Sequence, residues 1–396
     1  MRRESRTYVD APYQRILVAV DNSKHSDAAV KLAATLVQAQ GASVVGLHVY
    51  VAQLHERRFL HMEPGLPERY SDSELQRQRS VLERLISKGL RLISEYYLDR
   101  ARALCEEFKV TYEGRLAEVK NYQEILREAS SEEYDVVVLG ALGLGARRRS
   151  LLGSVCERVF RSFPGDSLVV RNGQKGAGHI MVAIDGSPNS YQALTQGFIV
   201  GAAMGQTVEV VTVFDPQFHI VAFKRLAKVL SEEAASLFRF KEQEQLHAEV
   251  IDRALERLYQ SYLCQAEELA VLHRQKVETT ILRGKAFQII LDHAEKRRPS
   301  LLVVGRFGQH ATEGSDVGST TENLVRLAPC SVLVASGAVE GRRESDQLSE
   351  AEARLQGVSA FAQQIVREAV EQYARQHDLT LVTVEVMIQA RRAIGW

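Results

Sequence analysis

Residues 134–154 read Tyr-Asp-Val-Val-Val-Leu-Gly-Ala-Leu-Gly-Leu-Gly-Ala-Arg-Arg-Arg-Ser-Leu-Leu-Gly-Ser. Residues 300–319 read Ser-Leu-Leu-Val-Val-Gly-Arg-Phe-Gly-Gln-His-Ala-Thr-Glu-Gly-Ser-Asp-Val-Gly-Ser. Each opens with an unbroken apolar run, which is the pattern of a strand buried on both faces of a parallel sheet. Each run ends in a glycine and continues as Gly-x2-Gly-x9-Gly-Ser, with Gly140, Gly143, Gly153 and Ser154 in the first stretch. Gly305, Gly308, Gly318 and Ser319 fill the same places 165 residues later.

Working outward, two more landmarks recur at nearly the same offset. Arg15-Ile-Leu-Val-Ala-Val20 runs into Asp21, and His179-Ile-Met-Val-Ala-Ile184 runs into Asp185. Ser167-Leu-Val-Val170 is matched by Ser331-Val-Leu-Val334. The period is far longer than a solenoid unit, so each copy reads as a whole domain. Strands are expected near 15–20, 43–50, 110–119, 135–139 and 167–171, then near 179–184, 207–213, 277–282, 300–304 and 331–335. Helical stretches alternate with them, which predicts an α/β fold: two tandem five-stranded parallel-sheet, Rossmann-like domains over residues 13–172 and 179–336. The glycine-rich segment Asn172 to Gly178 reads as the linker. The two copies are expected to pack as an intramolecular pseudo-dimer through their closing strands.

Between the second and third strands lie long helical segments, Ser71 to Phe108 and Phe218 to Gln275. They read either as solvated helices covering the sheet or as projecting arms for oligomerisation. After a polar linker at 337–347, Ser349 and Glu352 have capping-box spacing. Phe361, Ile365, Val366, Ala369, Val370 and Tyr373 then follow at helical spacing. Residues 348–396 are therefore expected to form a small helical module, docking on a protein partner or on the second domain.

The chain has 396 residues, 45% hydrophobic and 25% charged, enough for large cores. Lys plus Arg and Asp plus Glu are 50 each, which argues against a generally cationic nucleic-acid binder. No run of about 18 apolar residues occurs, so no membrane span is expected. Ile16 to Val20 is the first apolar run and stops at Asp21, so no secretory leader is expected. Cys105, Cys156, Cys264 and Cys330 are scattered. They point to reduced thiols in a cytoplasmic protein rather than to disulfides or zinc.

The glycine stretches carry the chemistry. A glycine at the carboxyl end of a strand lets a phosphate approach the backbone. The Gly-Ser pair then opens a helix, whose free N–H groups and dipole favour an anion. The serine hydroxyl is expected to cap that helix or to donate to phosphate. Ligands of open α/β sheets bind at these strand ends. No Gly-x4-Gly-Lys-Ser/Thr loop is present, which argues against a P-loop NTPase. No catalytic triad follows from the spacing either. His48, within the second strand, reads as a core histidine; His310 lies in a glycine stretch, within reach of a ligand there.

On the opening strand with its Asp, the glycine motif and the closing strand, residues 13–336 resemble the universal stress protein family in its tandem form. The resemblance implies a five-stranded parallel sheet in each copy and binding of an adenine nucleotide, ATP or AMP, with Mg2+ only alongside the nucleotide. The site residues it implies are Asp21, Val49, Gly140, Gly143, Gly153, Ser154 and Val155 in the first copy. In the second they are Asp185, Val213, Gly305, Gly308, Gly318, Ser319 and Thr320. Two departures bear on it. The family's glycine after the third strand is kept as Gly284 but is Val119 in the first copy, where a Cβ would crowd the site. The first copy's loop carries Arg147, Arg148 and Arg149, which suit phosphate; the second carries Glu313 and Asp316, which would repel it without a metal. The tail, through Glu350-Ala-Glu-Ala-Arg-Leu355, Val358 to Phe361, Glu371 to Arg375 and Glu385-Val-Met387, resembles the C-terminal domain of the light-independent protochlorophyllide reductase B subunit, without its catalytic portion. Three functions follow as expectations: a nucleotide-binding stress sensor or regulator without a dedicated catalytic site, a non-nucleotide scaffold that interacts through its helical arms and C-terminal module, and a slow ATP hydrolase; further homo-oligomerisation is a separate expectation.

Overall fold

A computed structural model describes residues 13–37, 42–50, 72–118, 121–131, 134–147, 150–172, 176–215, 252–309 and 316–336, together with Val386 and Gln389. The chain divides into two compact units, residues 1–174 and 175–396. In the first, the elements are β1 (Arg15–Ala19), α1 (Lys24–Leu36), β2 (Ser43–Tyr50), α2 (Asp72–Glu107), β3 (Thr111–Glu118), α3 (Asn121–Ser131), β4 (Val136–Gly140), α4 (Ser154–Ser162) and β5 (Asp166–Val170). Their strand order is β3-β2-β1-β4-β5, with parallel pairing throughout.

The second unit repeats the plan: β6 (His179–Ile184), α5 (Pro188–Met204), β7 (Thr207–Phe214), α6 (Asp252–Leu272), β8 (Val277–Arg283), α7 (Ala286–Arg297), β9 (Leu301–Gly305), α8 (Ser319–Leu327) and β10 (Ser331–Ala335). The order is β8-β7-β6-β9-β10, again parallel. In both units the chain departs from the first strand in one direction and returns on its other side. The switch point therefore lies at the carboxyl ends of β1 and β4, or β6 and β9, where open α/β sheets bind ligands.

The strands form where the unbroken apolar runs predicted them. Ile16, Leu17, Val18 and Val136 to Val138 are wholly buried, as are Ile180, Met181 and Leu302. Helix α1 packs through Ala29, Val30, Ala33 and Ala34, whose small side chains let it lie close on the sheet. It opens at Ser23, whose hydroxyl accepts from Ser26 N at 3.1 Å; Ser187 does the same for α5, accepting from Ser190 N at 3.2 Å. Proline at the start of α5 and left-handed Gly205 at its end suit those positions.

Within the segment 71–108, Asp72–Glu107 is one continuous helix of 36 residues. At 1.5 Å per residue it is about 54 Å long, roughly twice the length of an eight-residue strand. It therefore outruns the sheet it covers. In the second unit α6 is the described part of the matching segment; residues 216–251 lie outside the described residues, as does the tail apart from Val386 and Gln389, both buried. Among the described residues, no helix is long and apolar enough to cross a membrane.

One polar group sits inside the second sheet. Glu209 of β7 is 2% exposed. Its carboxylate accepts from His293 Nε2 at 2.8 Å and from Arg297 Nε at 3.2 Å, with His179 Nε2 at 3.3 Å. Arg297 also reaches Glu278 at 2.6 Å. The first unit has Val45 at the matching place. Removing Glu209 leaves two imidazoles and an arginine that keeps Glu278; removing His293 and Arg297 leaves the buried carboxylate only His179. Glu209→Val is therefore expected to cost about 1–3 kcal/mol. The pair His293→Leu with Arg297→Met is expected to cost more, about 3–5 kcal/mol. Urea denaturation should rank them so; the reverse order would show that the partners do not hold the carboxylate.

Candidate functional site

At the switch point of each unit an aspartate clips two distant segments together. Asp21 Oδ1 accepts from Ser23 N at 3.0 Å, and its Oδ2 accepts from Leu144 N at 3.2 Å. Asp185 repeats this: Oδ1 accepts from Ser187 N at 3.0 Å and Ser187 Oγ at 2.6 Å, and Oδ2 accepts from Gln309 N at 2.9 Å. The residue after each aspartate has positive φ, Asn22 at 60° and Gly186 at 82°. Asparagine and glycine are the residues that adopt that conformation at least cost.

The clip explains most of the glycine pattern. A Cβ on Gly143 would stand 2.5 Å from Asp21 Oδ2, and one on Gly308 would stand 2.4 Å from Asp185 Oδ2. A Cβ on Gly140 would meet Ser26 N at 3.0 Å, and one on Gly305 would meet the Asn189 backbone at 2.9 Å. These four glycines are thus required by the protein's own packing, whatever a ligand requires. Gly153 N donates to Ala141 O at 2.7 Å, and Gly318 N donates to Arg306 O at 2.9 Å. Here the expected capping is corrected: Gly153 and Gly318 are the N-caps of α4 and α8. Ser154 and Ser319 are the first helical residues and do not cap them. The first N–H to find a carbonyl within each helix is Glu157 N, on Gly153 O, or Glu322 N, on Gly318 O. The N–H groups before it have no intrahelical partner.

In the second unit these parts enclose a cavity of ≈ 480 Å³. All seven expected residues of that copy line it: Asp185, Val213, Gly305, Gly308, Gly318, Ser319 and Thr320. Ile184, Val213, Tyr259, Ala286 and Ile290 make one part apolar, and the start of α8 makes the other part polar. Asp316, one of the two acidic residues of this loop, lies beside a buried arginine. Arg306, 4% exposed, donates from Nε to Asp316 O at 3.0 Å. Burial lowers the affinity of its guanidinium for the proton, and the Asp316 charge opposes that shift. Glu313 and His310 lie outside the described residues.

Comparison with known proteins places the fold. The model of the universal stress protein family matches residues 12–171 and again 177–336. The chain belongs to the universal stress protein family. A universal stress protein of Thermus aquaticus is 28% identical over 40% of this chain and 99% of its own. Another, of Methanocaldococcus jannaschii, is 24% identical over 42% of this chain and 86% of its own. A functionally unknown protein of Pseudomonas aeruginosa PAO1 shares the fold, with a TM-score of 0.51 and 14% identity over 82% of this chain and 92% of that one. Residues 348–391 match a second model, that of the proto-chlorophyllide reductase 57 kD subunit.

In the first universal stress unit, Asp21, Gly140, Gly143, Gly153 and Ser154 come together through the same clip. Val155 follows in α4, and Val49 lies near the carboxyl end of β2, beside β1. Arg147 is described, its backbone N donating to Ser150 Oγ at 3.3 Å; Arg148, Arg149 and Val119 lie outside the described residues. Gly284 of the second unit has φ 126°, with its N on Phe214 O at 2.9 Å, so its glycine is conformationally required. Sequence reading missed Tyr259, Tyr262 and Gln309. The signal for the tyrosines was present as Tyr-x2-Tyr spacing on α6, in a segment read either as a solvated helix covering the sheet or as a projecting arm.

His48 is half-buried near the end of β2 rather than fully in the core. Its Nδ1 bonds the Val20 carbonyl, and its ring meets Tyr97 edge-on at 5.1 Å. Thr212 holds the matching carbonyl of the second unit, donating to Ile184 O at 2.9 Å. Burial keeps the His48 imidazole below its ordinary pKa of 6.5, against the raising effects of the Val20 carbonyl and Asp21. The unfolded chain therefore takes up the proton first as pH falls, and stability declines below about pH 6.5. His48→Thr, which copies the second unit, should flatten the decline in Tm between about pH 7 and about pH 5 in calorimetry. An unchanged slope would mean that His48 is not what makes the first unit acid-sensitive.

Proposed function

We propose that the second unit binds an adenine nucleotide, ATP or AMP, and that the chain acts as a nucleotide-responsive regulator in a stress response, without a dedicated catalytic centre. The cavity beside Asp185 is the observation that carries this reading. It sets an apolar slot (Ile184, Val213, Tyr259, Ala286, Ile290) next to the opening of α8 at Gly318, Ser319 and Thr320. A purine is flat and apolar on its faces, and phosphates suit unpaired N–H groups at a helix start. Mg2+ would enter with the phosphates.

The test is the small-molecule content of the purified full-length protein after denaturation, followed by calorimetry with ATP. ATP or AMP should co-purify. Gly308→Val with Gly318→Val should abolish binding in the second unit, and Gly143→Val with Gly153→Val tests the first. Melting curves check that the disturbed clip still folds. Affinity unchanged in both double variants would rule out both glycine-loop sites.

A second reading, a scaffold without nucleotide, is favoured by one observation. Helix α2 exposes Val81, Leu85, Leu92, Ile93 and Tyr96, between 44% and 63% each. Exposed apolar side chains in such a row mark interaction surfaces. If that reading holds, no nucleotide is released, and Leu85→Glu with Leu92→Glu changes the sedimenting mass.

A further inference from the structure

The aromatic cluster of the second unit includes one ring, Tyr259, that the first unit lacks. The two units align along their long helices at an offset of 165: buried Leu98 and Ala101 of α2 match buried Leu263 and Ala266 of α6. At that offset Tyr259 stands where the first unit has Ser94. Ser94 is turned inward on its own helix, donating from Oγ to Leu90 O at 2.7 Å. Tyr259 instead lines the cavity beside Asp185.

The ring is held in place from several sides. Its centroid is 5.7 Å from that of Phe214 and 5.3 Å from that of Tyr262. Phe214 carries the Arg283 guanidinium 5.4 Å above its ring, and Arg283 is paired with Glu256 at 2.6 Å. Tyr262 packs over Gly186, where any Cβ would come within 2.4 Å of its ring. Its hydroxyl accepts from Gln309 Nε2 at 2.9 Å, and Gln309 N is itself clipped to Asp185. A planar group entering the slot therefore meets an aromatic ring whose position is already fixed, with Ala286, Ile290 and Val213 also in the lining.

We propose that Tyr259 is the base-selecting residue of the second unit, stacking on a purine and giving that unit a preference for purine over pyrimidine nucleotides. The first unit, with Ser94, lacks it. The proposal rests on the nucleotide reading above and adds the residue that discriminates between bases. Stacking scales with the size of the π face, so a two-ring base gains more from the wall than a one-ring base. The phosphate end of the cavity is common to all nucleotides and cannot discriminate.

The experiment uses the full-length chain carrying Gly143→Val and Gly153→Val, which block the first unit's loop. ATP, UTP and inorganic tripolyphosphate are titrated by calorimetry against Tyr259, Tyr259→Phe, Tyr259→Leu and Tyr259→Ser. With Tyr259, ATP should bind more tightly than UTP. Tyr259→Phe should keep that ratio within about twofold, because the ring remains. Tyr259→Leu and Tyr259→Ser should weaken ATP by roughly tenfold or more and bring it towards UTP. Tripolyphosphate, having no base, should be unaffected throughout. The leucine variant preserves apolar volume, and with phenylalanine it decides the matter if the serine variant does not fold. An ATP-to-UTP ratio unchanged in Tyr259→Leu overturns this inference and leaves the nucleotide reading standing. Equal weakening of tripolyphosphate also overturns it, since the residue would then be shaping the cavity rather than reading the base. No binding of either nucleotide to Tyr259 protein defeats the nucleotide reading and this inference together.

Discussion

A carboxylate at the end of the first strand organises each switch point. Asp21 and Asp185 spend both oxygens on backbone N–H groups, one near the start of the next helix and one in the loop after the fourth strand. Such charge-assisted bonds are worth about 1.5–3 kcal/mol each. Their larger effect is geometric. They draw segments more than a hundred residues apart in sequence to within hydrogen-bond distance, and they leave no space for a Cβ at Gly143 or Gly308. The loop is thereby laid across the strand ends, and the helix that follows opens its unpaired N–H groups beside the apolar slot. Because the carboxylates are solvated by amides, their charge is partly offset before any anion approaches.

On this common frame the two units have diverged at matched places. His48 and Thr212 hold the same carbonyl by different donors. Val45 corresponds to Glu209, which needs a set of basic partners to remain in the core. Ala141 corresponds to Arg306, a buried arginine that donates to the Asp316 backbone carbonyl. Ser94 corresponds to Tyr259. The last change falls at the second unit's cavity and alters its wall, whereas the backbone clip is unaltered. A duplicated fold can change what it recognises this way, because the strand register and the glycine contacts do not depend on those side chains.

The strands were legible because burial on both faces forces an unbroken apolar run, and such a run has few other readings. The duplication was legible because glycine and aspartate were retained at fixed offsets. What the sequence concealed was the reason for the glycines. Gly143 looks like an opening for phosphate, yet its immediate neighbour is a carboxylate over 120 residues upstream, a contact that no local pattern announces. Likewise, only the fold brings the Arg306 guanidinium onto the Asp316 backbone carbonyl. Tyr259 was hidden for another reason. The long helices diverge in sequence, so the offset that equates it with Ser94 emerges only from the buried residues one turn on.

The placement of Tyr259 also bears on how occupancy could be read out. A ligand shifts a conformational equilibrium only by the difference in its affinity for the two states. A nucleotide held by the glycine loop alone touches elements fixed by the aspartate clip, which offer little to shift. A base stacked on Tyr259 touches α6, the described part of the long helical segment, and through Tyr262 and Gln309 the same helix is bonded to the loop. Helix and loop would then be ordered by one ligand at once, so their relative position would depend on whether it is bound. In the first unit the corresponding helix face is closed instead by Tyr97 against His48. There, the contact that could respond is with a proton rather than with a base.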